Sequence, residues 1–248
     1  MIYKVQPNLG EFKDTRKNIN YFRNYIMNEL RSIETFEKKK KAFIESKDIK
    51  SFRIVSMMLA NKYENLLSAY YSRGCDFKQI LDVACRYISN LLDAGKFSIS
   101  DTITGLSMII LLRIPMDRPE IKLFTDTVLK EYGDLRIVKE MVYYIKTKEF
   151  GIVKGQDTGF DTIDNLTRIL HVNDDGEFAV ILNRYMTNEW YASKKKSAYY
   201  DSHLKNDNTY HGYWSFFAAA IVAMKIDDMN DNIMRKISES GYIPVALI

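Results

Sequence analysis

Between residues 213 and 224 the only polar side chain that is not aromatic is Ser215. A helix that is apolar around its whole circumference is a buried helix, because a surface helix keeps one polar face. The stretch from Tyr210 to Asp228 is therefore expected to supply a central helix with other helices packed around it. Gly212, Ser215, Ala219 and Ala223 recur at three- and four-residue steps and would form a ridge of small residues. Tyr213, Phe217, Ile221 and Met224 would form a large ridge on another side. The run is shorter than the roughly 20 residues that a membrane span needs, so it reads as core.

The remainder of the chain fits the same picture. Eleven Gly and four Pro among 248 residues favour long helices over many tight turns. Asp14 or Thr15 can cap a helix running to about residue 46, with Ile19, Phe22, Ile26, Leu30 and Ile33 facing inward. A turn at Pro7-Asn8 precedes it. A second helix is expected over 49–73, with Ile54, Met57, Met58, Asn61, Leu66 and Tyr70 inward and Gly74 as its left-handed stop. Asp76 then caps a third, with Ile80, Leu81, Ala84, Tyr87, Ile88 and Leu91 inward, closed by Gly95. Ser100-Asp101 opens a nearly all-apolar fourth, over 103–114. Pro119 suits a first helical position. Helices follow over 120–132, 135–148, 161–170 and 175–194. A short aromatic helix is expected over 198–203, and a last helix over 229–240. Gly151, Gly155 and Gly159 mark a loop or boundary, which divides the chain into an N-terminal helical region, 1–150, and a C-terminal one, 151–248. No alternating strand pattern with hairpin turns occurs. The expected fold is all-α, a multi-helix, bundle-like single globular body around a buried C-terminal helix.

Charge is distributed unevenly behind a net value of +4. Arg16, Lys17, Arg23, Arg31 and the run Lys38-Lys39-Lys40-Lys41 make the beginning basic. Between residues 155 and 189, Asp157, Asp161, Asp164, Asp174, Asp175, Glu177 and Glu189 meet only Arg168 and Arg184. The lysine run falls near a helix C-terminus, where positive charge suits the dipole. Cys75 and Cys85 make no disulfide framework, and on one helix they would stand about 15 Å apart. No secretory signal is visible at the start. A reducing, cytoplasmic setting is expected.

Asp201, His203, Asp207 and His211 form the one acid–histidine cluster. Their spacing matches no strong metal-ligand pattern. Read as an acid–base pair, Asp201 and His203 lack an evident nucleophile and oxyanion donors. The simpler reading is that they hydrogen-bond to order the loop before the central helix. The three clustered glycines lack the spacing and the following Lys-Ser/Thr of phosphate-binding loops.

Five elements occur in order: Glu189-Trp190-Tyr191, then Ala198-Tyr199-Tyr200-Asp201-Ser202-His203, then Tyr210-His211-Gly212-Tyr213-Trp214-Ser215-Phe216, then Ala218-Ala219-Ala220, then Ile226-Asp227-Asp228. In order and spacing they resemble the C-terminal signature of the PoNe immunity family, PoNi. The Tyr-x-Gly-Tyr-Trp-Ser-Phe element is the most specific of them. A Tyr-Phe-x-x-Tyr-Ile segment, Tyr21 to Ile26, is compatible with the family's N-terminal region. The resemblance implies an all-helical immunity protein that binds and neutralises a DNA-degrading toxin used in bacterial competition, with no catalytic residues, no metal and no cofactor. It implies a scaffold role for Trp190, Tyr191, Asp201, His203, Tyr210, Gly212, Tyr213, Trp214, Ser215 and Phe216. The chain departs from the family at Phe217, where a glutamate is usual, and in its net positive charge.

The expected partner is thus a cognate nuclease toxin, with no membrane and no direct nucleic-acid contact, and with a homodimer left open. A nuclease cleft attracts phosphates with Lys and Arg. Asp157, Asp161, Asp164, Asp174, Asp175 and Glu177 are the carboxylates expected to meet such a cleft and steer association. The alternative is a hydrolase that uses Asp201 and His203 with or without a metal, which requires both side chains to line an open pocket.

Overall fold

Side-chain caps and left-handed stops set the boundaries of the helices Ile49–Arg73 and Phe77–Ala94. The computed structural model describes residues 12–226 and 231–248. Among them lie ten α-helices and no strand; the single β-bridge joins Leu135 and Gln156. The all-α expectation holds. The turn at Pro7-Asn8, the signature residues Asp227 and Asp228, and Met229 lie outside the described residues. No helix of the described residues is long and apolar enough to cross a membrane.

Contacts divide the chain into two units, 1–101 with 203–213, and 102–202 with 214–248. The first holds α1 (Ile19–Glu45), α2 (Ile49–Arg73) and α3 (Phe77–Ala94), with α2 packed against both others. Asn18, rather than Asp14 or Thr15, caps α1 by accepting from Tyr21 N. Asp48 does the same for α2, and Asp76 forms a reciprocal capping box with Gln79 for α3. Gly74 closes α2 with a φ of +77°, a conformation that costs glycine little.

Which faces are buried differs from the periodicity reading. Phe22, Ile26 and Ile33 are buried on α1, but Ile19 and Leu30 are exposed. On α2 the buried set is Val55, Leu59, Tyr63, Leu66 and Leu67, while Ile54, Met58 and Asn61 are exposed. Apolar residues spread so widely around α2 that spacing alone does not select a face.

The second unit holds α4 (Ile99–Leu111), whose first residues count with the first unit. It also holds α5 (Pro119–Tyr132), α6 (Arg136–Thr147), α7 (Asp161–Leu170), α8 (Asp175–Tyr185), α9 (Phe216–Lys225) and α10 (Asp231–Ser238). A π-helical turn, Met186–Trp190, and a 3-10 turn, Ala192–Lys194, extend α8. From Phe216 to Val222 every residue of α9 is buried, and so is Met224. The expectation of an enclosed C-terminal helix is met, but the helix starts three residues later than Tyr213. Ser215 Oγ accepts from Ala218 N at 3.2 Å and caps it, and Gly212, at φ +117°, stands outside it. Gly212 therefore belongs to no helical ridge. The short helix expected over 198–203 is also absent: the segment is turns and a 3-10 turn, Ser202–Leu204. Asp201 adopts φ +55°, which interrupts right-handed helix and which Asp tolerates better than most residues.

The segment with the three clustered glycines is strapped to α6 and α7. Gln156 N donates to Asp134 O at 2.8 Å, and Arg136 N donates to Gln156 O at 2.9 Å. A Cβ on Gly155 would stand 2.6 Å from both Arg136 Cα and N, so this close approach requires glycine.

Candidate functional site

The signature side chains fall into two groups, one in each unit. In the first unit, Asp14 is 1% exposed. Its carboxylate accepts from the Tyr210 hydroxyl and from Arg16 N at 3.0 Å, with Arg16 Nη1 at 3.4 Å. Ser72 Oγ stands 3.5 Å from Asp14 Oδ2 and 3.3 Å from the His211 carbonyl. Tyr210 N donates to Tyr21 Oη at 3.1 Å, and Tyr21 Oη donates to Tyr210 O at 3.0 Å. Burial pushes the Tyr21 phenol up, so it keeps its proton for that bond. His203 Nδ1 lies 2.9 Å from Tyr213 Oη, and His203 N donates to the same oxygen. The Arg16 guanidinium sits 5.5 Å from the centre of the Tyr213 ring. The His211 imidazole is held neutral by burial, which pushes it down to about 4.

In the second unit, Tyr191 stacks on Tyr242 and on Tyr200, with ring centres 5.2 and 4.7 Å apart. Its hydroxyl donates to Asp201 Oδ1 at 2.9 Å, and Asp201 N donates back to it at 3.1 Å. Trp190 is buried against Tyr242 at 5.5 Å, and Ser215 N donates to the Tyr242 carbonyl at 2.8 Å. Phe216 and Phe217 are buried in α9, and Trp214 is half-buried just before it. Asp201 and His203 thus spend their polar atoms inside their own units. Among the described residues no group of three or more His, Cys, Asp or Glu side chains could hold a metal ion.

The acidic segment is not uniform. Asp164 is buried, 6% exposed, and accepts from Thr158 N, Thr158 Oγ1 and Gly159 N at 2.7–2.9 Å. It fixes the glycine-bearing strap and so offers no carboxylate to a partner, in contrast to the sequence expectation. Asp157 pairs with Arg136 at 3.0 Å and Arg168 at 3.4 Å. Asp174 caps α8 by accepting from Glu177 N at 2.7 Å. Asp161 and Glu177 are exposed, and Asp175 is half-buried. These last three are the carboxylates left most open to a partner. The early lysines are partly engaged: Lys38 pairs with Glu34, and Lys40 reaches Asn90 and Asp93.

Sequence reasoning missed three supports. Asp14, Ser72 and Tyr21 complete the Tyr210 cluster; Asp14 was expected only as a helix cap, and Ser72 only as part of a helix. Tyr242 is the platform for Trp190 and Tyr191. Glu140, fully buried, lies 2.9 Å from His171 Nε2 and accepts from Val153 N at 3.2 Å. Its place on α6 carries no local signal, because its partners come from segments 13 and 31 residues away.

No curated protein and no solved structure matches the chain. A family model does: that of the PoNe immunity proteins (PoNi), C-terminal, over residues 155–239. The match spans the acidic segment, the signature residues of both aromatic groups and α9, but not their supports Asp14, Tyr21, Ser72 and Tyr242. Over residues 155–239 this chain is thus similar to the C-terminal region of the PoNe immunity proteins (PoNi).

Proposed function

We propose that this chain is an immunity protein that binds a bacterial DNase toxin directly and neutralises it without catalysing a reaction. The match over residues 155–239 carries this reading. The arrangement of the signature supports it. Its polar atoms bond to one another and to neighbouring backbone, as a scaffold requires, and its rings are packed. The hydrolase alternative needs Asp201 and His203 to converge on an open pocket. Instead, Asp201 is bonded to Tyr191, and His203 to Tyr213.

In this reading the exposed carboxylates Asp161, Asp175 and Glu177 speed the encounter with a basic nuclease cleft. Complementary charge mainly raises association rate. The test partner is a candidate DNase toxin sought among the products of the neighbouring genes. Expressed alone in bacteria it should arrest growth, and co-expression of this chain should restore growth and yield a complex on pull-down. Growth arrest that persists at full expression of the folded chain would refute the proposal.

A further inference from the structure

The first unit carries a groove of about 350 Å³ whose floor comes from α2 and whose walls come from α1 and α3. That size is near the lower end for small-molecule pockets, and suits one or two inserted side chains better than a metabolite. Leu66 and Tyr63, both buried, form part of the floor, and Leu30, 43% exposed, stands at the wall from α1. Three carboxylates line it, Glu34, Glu37 and Asp82, against one guanidinium, Arg86. We propose that this groove is a second docking point for the toxin and receives an arginine or lysine side chain from the toxin's basic surface.

The inference rests on the immunity reading, which supplies the partner. The groove supplies the chemistry. An arginine offers a planar fork to carboxylates and a flat face to tyrosine rings, and both are present. Tyr63 Oη donates to Glu37 Oε1 at 3.0 Å and so holds that carboxylate in place. Desolvation and Glu37 push the Tyr63 phenol up to about 12, so it stays a donor throughout the physiological range. Glu34 makes an exposed pair with Lys38, at 2.7 Å, which an incoming cation can replace. Exposed Leu30 adds an apolar edge that would help exclude water once a partner is seated.

The test measures binding of the full chain to that candidate DNase toxin, with its catalytic residue inactivated, by biolayer interferometry. Glu34 and Asp82 are both exposed, so E34K/D82K should fold normally, as checked by circular dichroism. The variant should weaken binding about tenfold or more, with much of the loss in association rate. R86E should leave affinity unchanged or raise it, an outcome that damage to the fold would not produce. Wild-type binding with unaltered affinity in E34K/D82K overturns the groove and leaves the immunity reading standing. Failure of the wild-type chain to bind overturns both. A dimer of the chain alone that E34K/D82K dissociates would assign the groove to a second copy and overturn the toxin assignment.

Discussion

The tyrosine–carboxylate cluster of the first unit and the acidic segment of the second both contain Asp side chains, but use them oppositely. Asp14 is withdrawn from water and held by Tyr210, Arg16 and Ser72. Asp161 and Glu177 lie open to solvent. A buried carboxylate is costly unless bonded, so the first arrangement fixes geometry and tolerates little change. Exposed carboxylates contribute little to folding and remain available to a partner. In the proposed function, family resemblance is carried by residues that build the molecule, and partner choice falls to residues that the signature does not include. Asp164 shows that the division does not follow the sequence: it lies among the acidic residues, yet behaves as Asp14 does.

That contrast can be broken at several points. The largest effect is expected for Tyr210→Ala, which removes a fully buried ring and a donor to Asp14; the loss should be about 3–5 kcal/mol, read from urea unfolding. Phe217→Glu follows. It restores the family's usual residue but places a carboxylate in a buried position of α9, and should cost about 3 kcal/mol unless a partner group is present. A neutral cost would mean that α9 retains the bonding partners relatives use.

The half-buried His211, whose Nδ1 is withdrawn from water, gives a pH test. Its folded value, about 4, lies below the ordinary imidazole value, so the unfolded chain binds the proton more readily. Its contribution is complete above about pH 6.5 and fades as pH falls toward 4. The difference across that window should be about 3 kcal/mol. His211→Phe should flatten this part of the stability profile relative to the native chain. An unchanged slope would show that His211 is reached by solvent.

Smaller still is Asp164→Asn, which keeps the shape, weakens the bonds accepted from Thr158 and loses the one accepted from Gly159 N, because an amide nitrogen cannot accept; a loss of about 2 kcal/mol is expected. D161K/D175K/E177K should move Tm by no more than about 2 °C. The same triple variant should slow toxin association and flatten its salt dependence. If it unfolds the protein, or leaves association unchanged, the division between scaffold and recognition fails for this segment.

Much of the fold was legible in the sequence because its punctuation is local. Gly74, Gly95, Asp76 and Pro119 each act on backbone within a few residues, and each stands where expected. The buried α9 was legible from composition alone. Burial on α2 was not, since that choice belongs to α1 and α3 rather than to α2's own spacing. The turn at Asp201 escaped notice because an aromatic run with helical spacing gives no warning of a positive φ. The role of Asp164 was hidden for a related reason: its donors sit on a strap whose return path is set by Gly155 against Arg136.

The central claim is that a rigid, non-catalytic scaffold presents a surface that stops a nuclease. The most direct measurement titrates the purified chain into a DNA-cleavage assay of the candidate DNase toxin. Inhibition should rise linearly and be complete at one chain per toxin. Cleavage that continues unchanged at a large molar excess of the folded chain would contradict the account.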